Sequence, residues 1–350
     1  MSTDADVPIW PALLAKLMRG EDLAPDEAGG ALATILEGRA TPAQIAGFAV
    51  ALRAKGETPA EMAALVRTML AYAERVEVAG PLVDTCGTGG DRSCSINVST
   101  LAAVVAAGAG ARVAKHGNRS ATSACGSADL LETLGVAVDL GPAGVARCIE
   151  EVGIGFCFAP RYHSALRHAG PVRRELGVPT TFNFLGPLAN PAGARRQTIG
   201  VGDAAMAERM VATLVELGTE RALVFFGHDG LDELTTTTTS AVWDVVDGDV
   251  RFWSLDPTEL GIPLAAPEDL VGGDPAANAR LARAILDGGA GAGRDIVVLN
   301  AAAALLAAGV VGDLAAGIEA AVASLDGGRA AAALDGLVKV SRQAAEEESR

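Results

Sequence analysis

Aromatic side chains are scarce. They make up 4% of the 350 residues, although half of the chain is hydrophobic. Alanine and glycine fill the space instead, which favours closely packed helices in an α/β protein with ample core. Long apolar runs are missing too: the longest, Ala301 to Gly312, is too short to cross a bilayer. The opening MSTDADVPIW has neither the basic nor the apolar region of a signal peptide, so the expected place is cytoplasmic, with no membrane partner. The five cysteines include no CxxC pair, which reads as reduced thiols and argues against zinc. Positive charge is in deficit as well. With 28 Lys and Arg against 43 Asp and Glu, the net charge is −15, which argues against a nucleic-acid binder. A phosphorylated ligand must then be held by local cations, backbone amides and a metal.

What the chain does have is concentrated between Asp84 and Asp129. Leu82-Val83 leads in like a buried strand, followed by Gly87-Thr88-Gly89-Gly90-Asp91 and by Ser95-Ile96-Asn97-Val98-Ser99-Thr100 before an Ala/Val-rich helix. Such a loop exposes backbone N–H groups, and a helix start adds unsatisfied donors and a positive dipole end, so both favour an anion such as phosphate. About one strand later come Lys115-His116-Gly117-Asn118-Arg119-Ser120, then Thr122, Ser123, Gly126 and Ser127. Two such loops, joined by a helix and the short strand Arg112-Val113-Ala114, form a βαβ-like unit whose strand ends meet at one crevice. The standard phosphate motifs fail: there is no Walker A, and Arg92 stands where the dinucleotide fingerprint needs glycine. Cys86, Cys94 and Cys125 fall in these loops and read first as small packing residues.

Residues 8–78 read as consecutive helices. Leu13, Leu14, Leu17 and Met18 have helical spacing, and Thr41-Pro-Ala-Gln44 and Thr58-Pro-Ala-Glu61 are capping boxes. Beyond Leu82, apolar strands at 82–84, 112–115, 136–140, 156–159 and 222–226 alternate with helices, which implies a mostly parallel sheet covered on both faces. A polar helix carrying His163, Arg167 and His168 on one loose face is either a cationic patch or a solvated surface, and Pro171 marks a kink or a new start before Arg173. The 180–191 segment is irregular and proline-closed. The run Thr235–Thr239 reads as a strand. Before it stand Asp232 and Glu233. On a regular strand these neighbours face opposite ways, so they are either a solvated acidic turn or, if a turn redirects one of them, ligands for hard cations. Asn300, on a buried helix spanning 294–309, needs a polar partner.

The motifs GTGGD (87–91), NVST (97–100), KHGNR (115–119), GSAD (126–129), PVRRELG (171–177), FNFLGPLANP (182–191) and GLDEL (230–234) resemble those of the anthranilate phosphoribosyltransferase family, in its order and at about its spacings. The resemblance covers most of the chain. It implies a nucleoside phosphorylase/phosphoribosyltransferase type of α/β fold, with a small helical N-terminal domain (1–79, joined by helices from about 162–200) and a large α/β domain (80–350) with a central mostly parallel sheet. It also implies a homodimer through the helical domains. The substrates implied are 5-phosphoribosyl 1-pyrophosphate and anthranilate, with two Mg²⁺ per subunit. Gly87, Gly90, Asp91, Ser95, Asn97, Val98, Ser99 and Thr100 would hold the sugar diphosphate, as would Lys115, His116, Gly117, Asn118, Arg119, Ser120, Ala121, Thr122, Ser123 and Ser127. Gly87, Asn118 and Arg173 would bind anthranilate. Ser99, Asp232 and Glu233 would bind magnesium. Two positions depart from the family pattern: Arg92 replaces a small residue, and Ala124 stands where lysine is frequent.

The implied reaction joins the anthranilate amine to C1 of the ribose and releases pyrophosphate. An aromatic amine is unprotonated at neutral pH, so no strong base is needed. The burden falls on the leaving group, whose growing charge the metal, the 87–100 amides and Lys115 would stabilise. Lys115, Arg173 and Asn118 are accordingly the expected catalytic set, and His116 is assigned to polarity or packing rather than proton transfer. A metal-free pyrimidine nucleoside phosphorylase is the alternative, opposed by KHGNR and by the Asp232–Glu233 pair.

Overall fold

The computed structural model describes residues 10–91, 93–120 and 124–350. Four helices open the chain: α1 (Trp10–Met18), α2 (Pro25–Leu36), α3 (Pro42–Lys55) and α4 (Pro59–Ala71). The two capping boxes form as expected. Thr41 Oγ1 accepts from Gln44 N and Thr58 Oγ1 from Glu61 N, while the Gln44 and Glu61 side chains accept from the threonine N–H groups at 2.8 and 2.7 Å. In α1, Leu13 and Leu17 are buried and Trp10 meets Phe48 of α3 edge-on, but Met18 is 81% exposed.

The remainder alternates strands and helices: β1 (Val83–Gly87), α5 (Val98–Gly108), β2 (Val113–Gly117), α6 (Ser127–Thr133), α7 (Pro142–Val152), β3 (Ile154–Phe158) and α8 (Ala159–Tyr162). After a 3₁₀ turn at Ser164–His168 come α9 (Gly170–Leu176), α10 (Phe182–Leu185), β4 (Arg196–Gly200), α11 (Ala204–Glu216), β5 (Arg221–Gly227), β6 (Ser240–Val246) and β7 (Asp249–Leu255). Four helices close the chain: α12 (Pro275–Leu286), α13 (Ala292–Ala308), α14 (Leu314–Asp326) and α15 (Arg329–Glu348). The seven-stranded sheet has the order β3-β2-β1-β4-β5-β6-β7, parallel through β5 and antiparallel at β6 and β7. From β1 the chain winds outward to β3, then returns to β4 on the other side of β1. The strand order therefore reverses between β1 and β4, where Gly87 pairs with Gly200. In an open sheet of this kind, ligands bind outside the carboxyl ends at that reversal.

One apolar core lies between the sheet and α5, α7, α13 and α15; the second joins α1–α4 and α11 to Ile199, Val224 and Val245 of the sheet. Val172, Phe182 and Leu185 pack into the second core. No described helix is long and apolar enough to cross a membrane.

Four local expectations change. Val136, Val138 and Leu140 are buried but extended without a ladder, and Ala137 N donates instead to Ser341 Oγ of α15. Thr235–Thr239 is a bend, not a strand, because the Thr235 and Thr237 hydroxyls both donate to Asp229 Oδ2 and fold the run back on that turn. His163, Arg167 and His168 share no helical face: His163 is buried at the end of α8, Arg167 is exposed, and the His168 ring lies against Gly38 of the helical block. The 180–191 segment is not wholly irregular, since α10 and a 3₁₀ turn at Gly186–Leu188 occupy its middle. The sequence reading also omits β4, whose polar Arg196-Gln197-Thr198 start does not look like a central strand; Gln197 is buried because its Nε2 donates to Pro187 O at 2.8 Å.

Candidate active site

Three segments converge at the β1–β4 reversal. The first is the loop after β1. Gly89 and Gly90 adopt φ of +66° and +85°, conformations that favour glycine, and turn the chain toward α5. Asp91 accepts from the Ser93 hydroxyl at 2.6 Å, and Ser95 pairs in an isolated bridge with Val271. The second is the loop after β2, which brings Lys115, His116, Gly117 and Asn118 to the same crevice, with Cys125, Gly126 and Ser127 at its far end. Gly117 has no room for a side chain: a Cβ there would fall 2.4 Å from Ser127 Oγ. The third is the 231–234 segment, which enters from the far side of β4.

The acidic neighbours on that third segment both face the crevice, because no ladder constrains them. Asp232 Oδ2 accepts from Gly89 N at 2.7 Å, and Glu233 Oε1 accepts from Ser99 N, in the first turn of α5, at 3.1 Å. Two glycines at paired strand ends admit this approach: a Cβ on Gly87 would lie 2.2 Å from Asp232 Oδ2, and one on Gly200 would lie 1.6 Å from Asp232 O. Asn300 of α13 finds its partner here. It accepts from Leu234 N at 3.0 Å and donates to Leu234 O at 2.9 Å, which pins the residue after the pair.

Burial pushes the Asp232 carboxyl up to about 7, with nearby Asp91 adding to it. Glu233 is raised well above the usual range by burial and then by Asp232, against the opposing pull of Lys115. Among the described residues neither carboxylate has an ion-pair partner. Two desolvated carboxylates without a cation fit a divalent ion, and hard cations take such ligands alongside phosphate oxygens and water.

Lys115 is buried, and its ammonium donates to Thr85 O at 2.6 Å and sits 3.4 Å from Ser99 Oγ. Burial lowers its pKa, while Asp84, Cys86 and Glu233 oppose that. Burial pushes His116 down to about 3. Its Nδ1 lies 3.2 Å from Gly186 O, which assigns the proton there, and Nε2 is a buried acceptor with no partner among the described residues. A neutral imidazole so placed supplies polarity, not a proton.

Known proteins share both the sequence and the fold of this chain. Residues 11–73 match the helical bundle domain of a glycosyl transferase family, and residues 79–331 match its a/b domain. The anthranilate phosphoribosyltransferase of Thermobifida fusca (strain YX) is 54% identical over 343 residues, covering 97% of this chain and 98% of that protein. The chain belongs to the anthranilate phosphoribosyltransferase family. The crystal structure of the Thermus thermophilus member superposes with a TM-score of 0.89 at 44% identity, covering 94% of this chain and 99% of that one. A Saccharomyces cerevisiae member, solved in complex with PRPP and Mg, superposes at 0.88 with 25% identity, covering 95% of this chain and 98% of that one.

Of the residues matched to the family's motifs, Gly87, Gly90, Asp91, Ser95, Asn97, Val98, Ser99, Thr100, Lys115, His116, Gly117, Asn118, Ser127, Asp232 and Glu233 line the crevice. Arg92, Ala121, Thr122 and Ser123 lie outside the described residues. Ala124 is exposed. Ser120 is not part of the lining; its N–H donates to Asp129 Oδ2. The Arg119 guanidinium turns away to Asp129 and Glu132 of α6 and lies over Phe158, so the structure does not bring it into the crevice. Arg173 is also off the lining. It sits half-buried on α9 over Phe182 at 5.6 Å, its pKa lowered by burial, and it has no carboxylate partner among the described residues.

Beneath the crevice is a network that sequence reasoning missed. Buried Asp84 accepts from His116 N at 3.0 Å and from Asn190 Nδ2 at 2.8 Å, and Asn190 also donates to Ala114 O. The signal was there: a carboxylate inside an apolar strand, and an asparagine closing FNFLGPLANP.

Proposed function

We propose that the protein transfers the phosphoribosyl group of 5-phosphoribosyl 1-pyrophosphate to the amine of anthranilate, giving N-(5-phosphoribosyl)anthranilate and pyrophosphate, in tryptophan biosynthesis. The observation that carries this reading is the meeting of two glycine-rich loops with a desolvated carboxylate pair, without an ion-pair partner among the described residues, at the sheet's topological reversal.

The chain's own residues divide the work. The loop after β1 and the start of α5 offer backbone N–H groups to the diphosphate, and the loop after β2 offers Asn118, Ser127 and the backbone of Gly117. Lys115, itself buried, adds positive potential below them, where it acts more strongly than at a surface. Asp232 and Glu233, with Ser99, would hold Mg²⁺, two ions per subunit, which when bound neutralises charge on the departing pyrophosphate. Arg173, a guanidinium with no carboxylate partner among the described residues, is suited to the anthranilate carboxylate and would aim the amine at C1. No residue need remove a proton before attack, in keeping with a His116 that stays neutral.

The assembly belongs to the same proposal. Residues 1–79, with helices from 162–200, form the small domain of a cytoplasmic homodimer, and 80–350 form the catalytic domain. Supporting it, α1 and α3 expose Met18 and Val50, and a shallow hollow between α2 and α4 is lined by Gly29, Gly30, Ala33, Ala64 and Ala71.

The deciding experiment is direct. Anthranilate fluorescence should fall when protein, anthranilate, phosphoribosyl pyrophosphate and magnesium are mixed, and should hold steady if any one is omitted. Unchanged fluorescence in the complete mixture refutes the reading.

A further inference from the structure

We propose that Asn278, a residue of α12 outside the crevice lining, is a positioning residue that holds the two phosphate loops at their correct separation; this rests on the reading of the crevice as the sugar diphosphate site. The observation is a directional chain of hydrogen bonds. Gly273 N donates to Asn278 Oδ1 at 2.7 Å, Asn278 Nδ2 donates to Asn97 Oδ1 at 3.0 Å, and Asn97 Nδ2 donates to Cys125 O at 2.9 Å. Asn97 belongs to the first loop and Cys125 to the second, so the chain ties both loops to one helix.

Each amide in the chain has its orientation dictated by the one before. The backbone N–H of Gly273 can only donate, so it fixes the Asn278 oxygen. The Asn278 nitrogen then fixes the Asn97 oxygen, and the Asn97 nitrogen is left aimed at the second loop. Both polar ends of the Asn97 side chain are thus committed within the protein. The side chain does not cap α5, and acts as a strut. Asn278 is 5% exposed, its amide also lies beside the Cys125 thiol, and α12 packs against both α5 and α6. The first loop is stitched to the segment leading into α12 by two further bonds, Ile96 N to Leu270 O and Gly272 N to Cys94 O, which together make the Ser95–Val271 bridge. Gly272 leaves the amide its place, since a Cβ there would lie 2.9 Å from Asn278 Oδ1.

A diphosphate reaching from Asn97–Thr100 to Ser127 feels the separation that the tie sets, whereas the expected anthranilate contacts on these loops, Gly87 and Asn118, lie at or next to the ends of β1 and β2, whose spacing the sheet fixes. Asn278→Asp keeps the size and the acceptor for Gly273 N but cannot donate to Asn97. This variant and Asn278→Ala should each raise KM for phosphoribosyl pyrophosphate by about tenfold, the size of one lost directional hydrogen bond between charged or buried partners. KM for anthranilate should stay within about twofold. Because the bonds act in series, Asn97→Ala combined with Asn278→Ala should raise KM no further than the worse single change. Deuterium uptake at residues 95–99 and 125–127 should rise in Asn278→Asp. A parallel rise in both KM values, or effects that multiply in the double variant, overturns the proposal. If the alanine variant does not fold, the aspartate variant alone decides by the same KM split. If the wild-type protein turns over neither substrate, the reading of the crevice has failed and exchange decides here: unchanged uptake at 95–99 and 125–127 in Asn278→Asp overturns the strut.

Discussion

At the scale of single residues, the proposed chemistry rests on charges that are buried and left incomplete. Asp232 and Glu233 are desolvated carboxylates that accept from backbone N–H groups and have no ion-pair partner among the described residues, so their ionised forms await a cation. Changing both to alanine should cut kcat by about hundredfold or more, the range for losing a preorganised electrostatic group, while circular dichroism stays as in the wild type. Near-normal turnover would remove the pair from the mechanism. Arg173 is the converse case, a half-buried cation with a ring beneath it and no carboxylate beside it among the described residues. Arg173→Ala should raise KM for anthranilate by about 10- to 100-fold, the worth of a charge-assisted hydrogen bond, and move KM for the phosphorylated substrate far less. Equal shifts in steady-state assays would place Arg173 elsewhere.

At the scale of elements, what matters is how closely strand ends and turns can approach. β1 and β4 both finish in glycine, and the 231–234 segment lies against those two residues. Gly200→Ala would drive a Cβ into the Asp232 carbonyl, so the segment bearing both carboxylates must shift. The expected outcome is loss of turnover with a stability penalty of about 1–3 kcal/mol, read from urea unfolding; retained activity would show that the segment adapts. The helical block follows more local rules. Thr58→Ala removes one half of a capping box far from the crevice, and should cost about 1 kcal/mol in the same assay with kcat untouched.

At the scale of the whole molecule, the buried histidines tie stability to pH. The His163 ring bonds at Nε2 with Ala189 O, contacts the His116 ring, and is pushed down by burial to about 4. The unfolded chain protonates an ordinary histidine near 6.5, so a native group held neutral binds fewer protons. Its stabilising share is intact above pH 6.5 and is lost as pH falls from there toward 4. His163→Gln should therefore lose about 2 kcal/mol less stability than the wild type between pH 7 and 5, as measured by denaturant titrations at both values. Parallel losses in the two proteins would show that His163 does not carry this dependence.

Local chemistry was legible in the chain itself. The capping boxes announced α3 and α4, apolar runs announced β1, β2, β3 and β5, and paired glycine loops announced a shared crevice, because each signal acts over a few neighbouring residues. Contacts between distant segments decided the rest. Whether Asp232 and Glu233 shared a side depended on their segment lying outside any strand ladder; β4 was hidden by polar residues that only tertiary partners satisfy; and Arg119 was captured by α6. Asn97, Asn190, Asn278 and Asn300 illustrate the limit, for a lone asparagine says only that it needs partners, and the packed fold supplies them from residues scores of positions away.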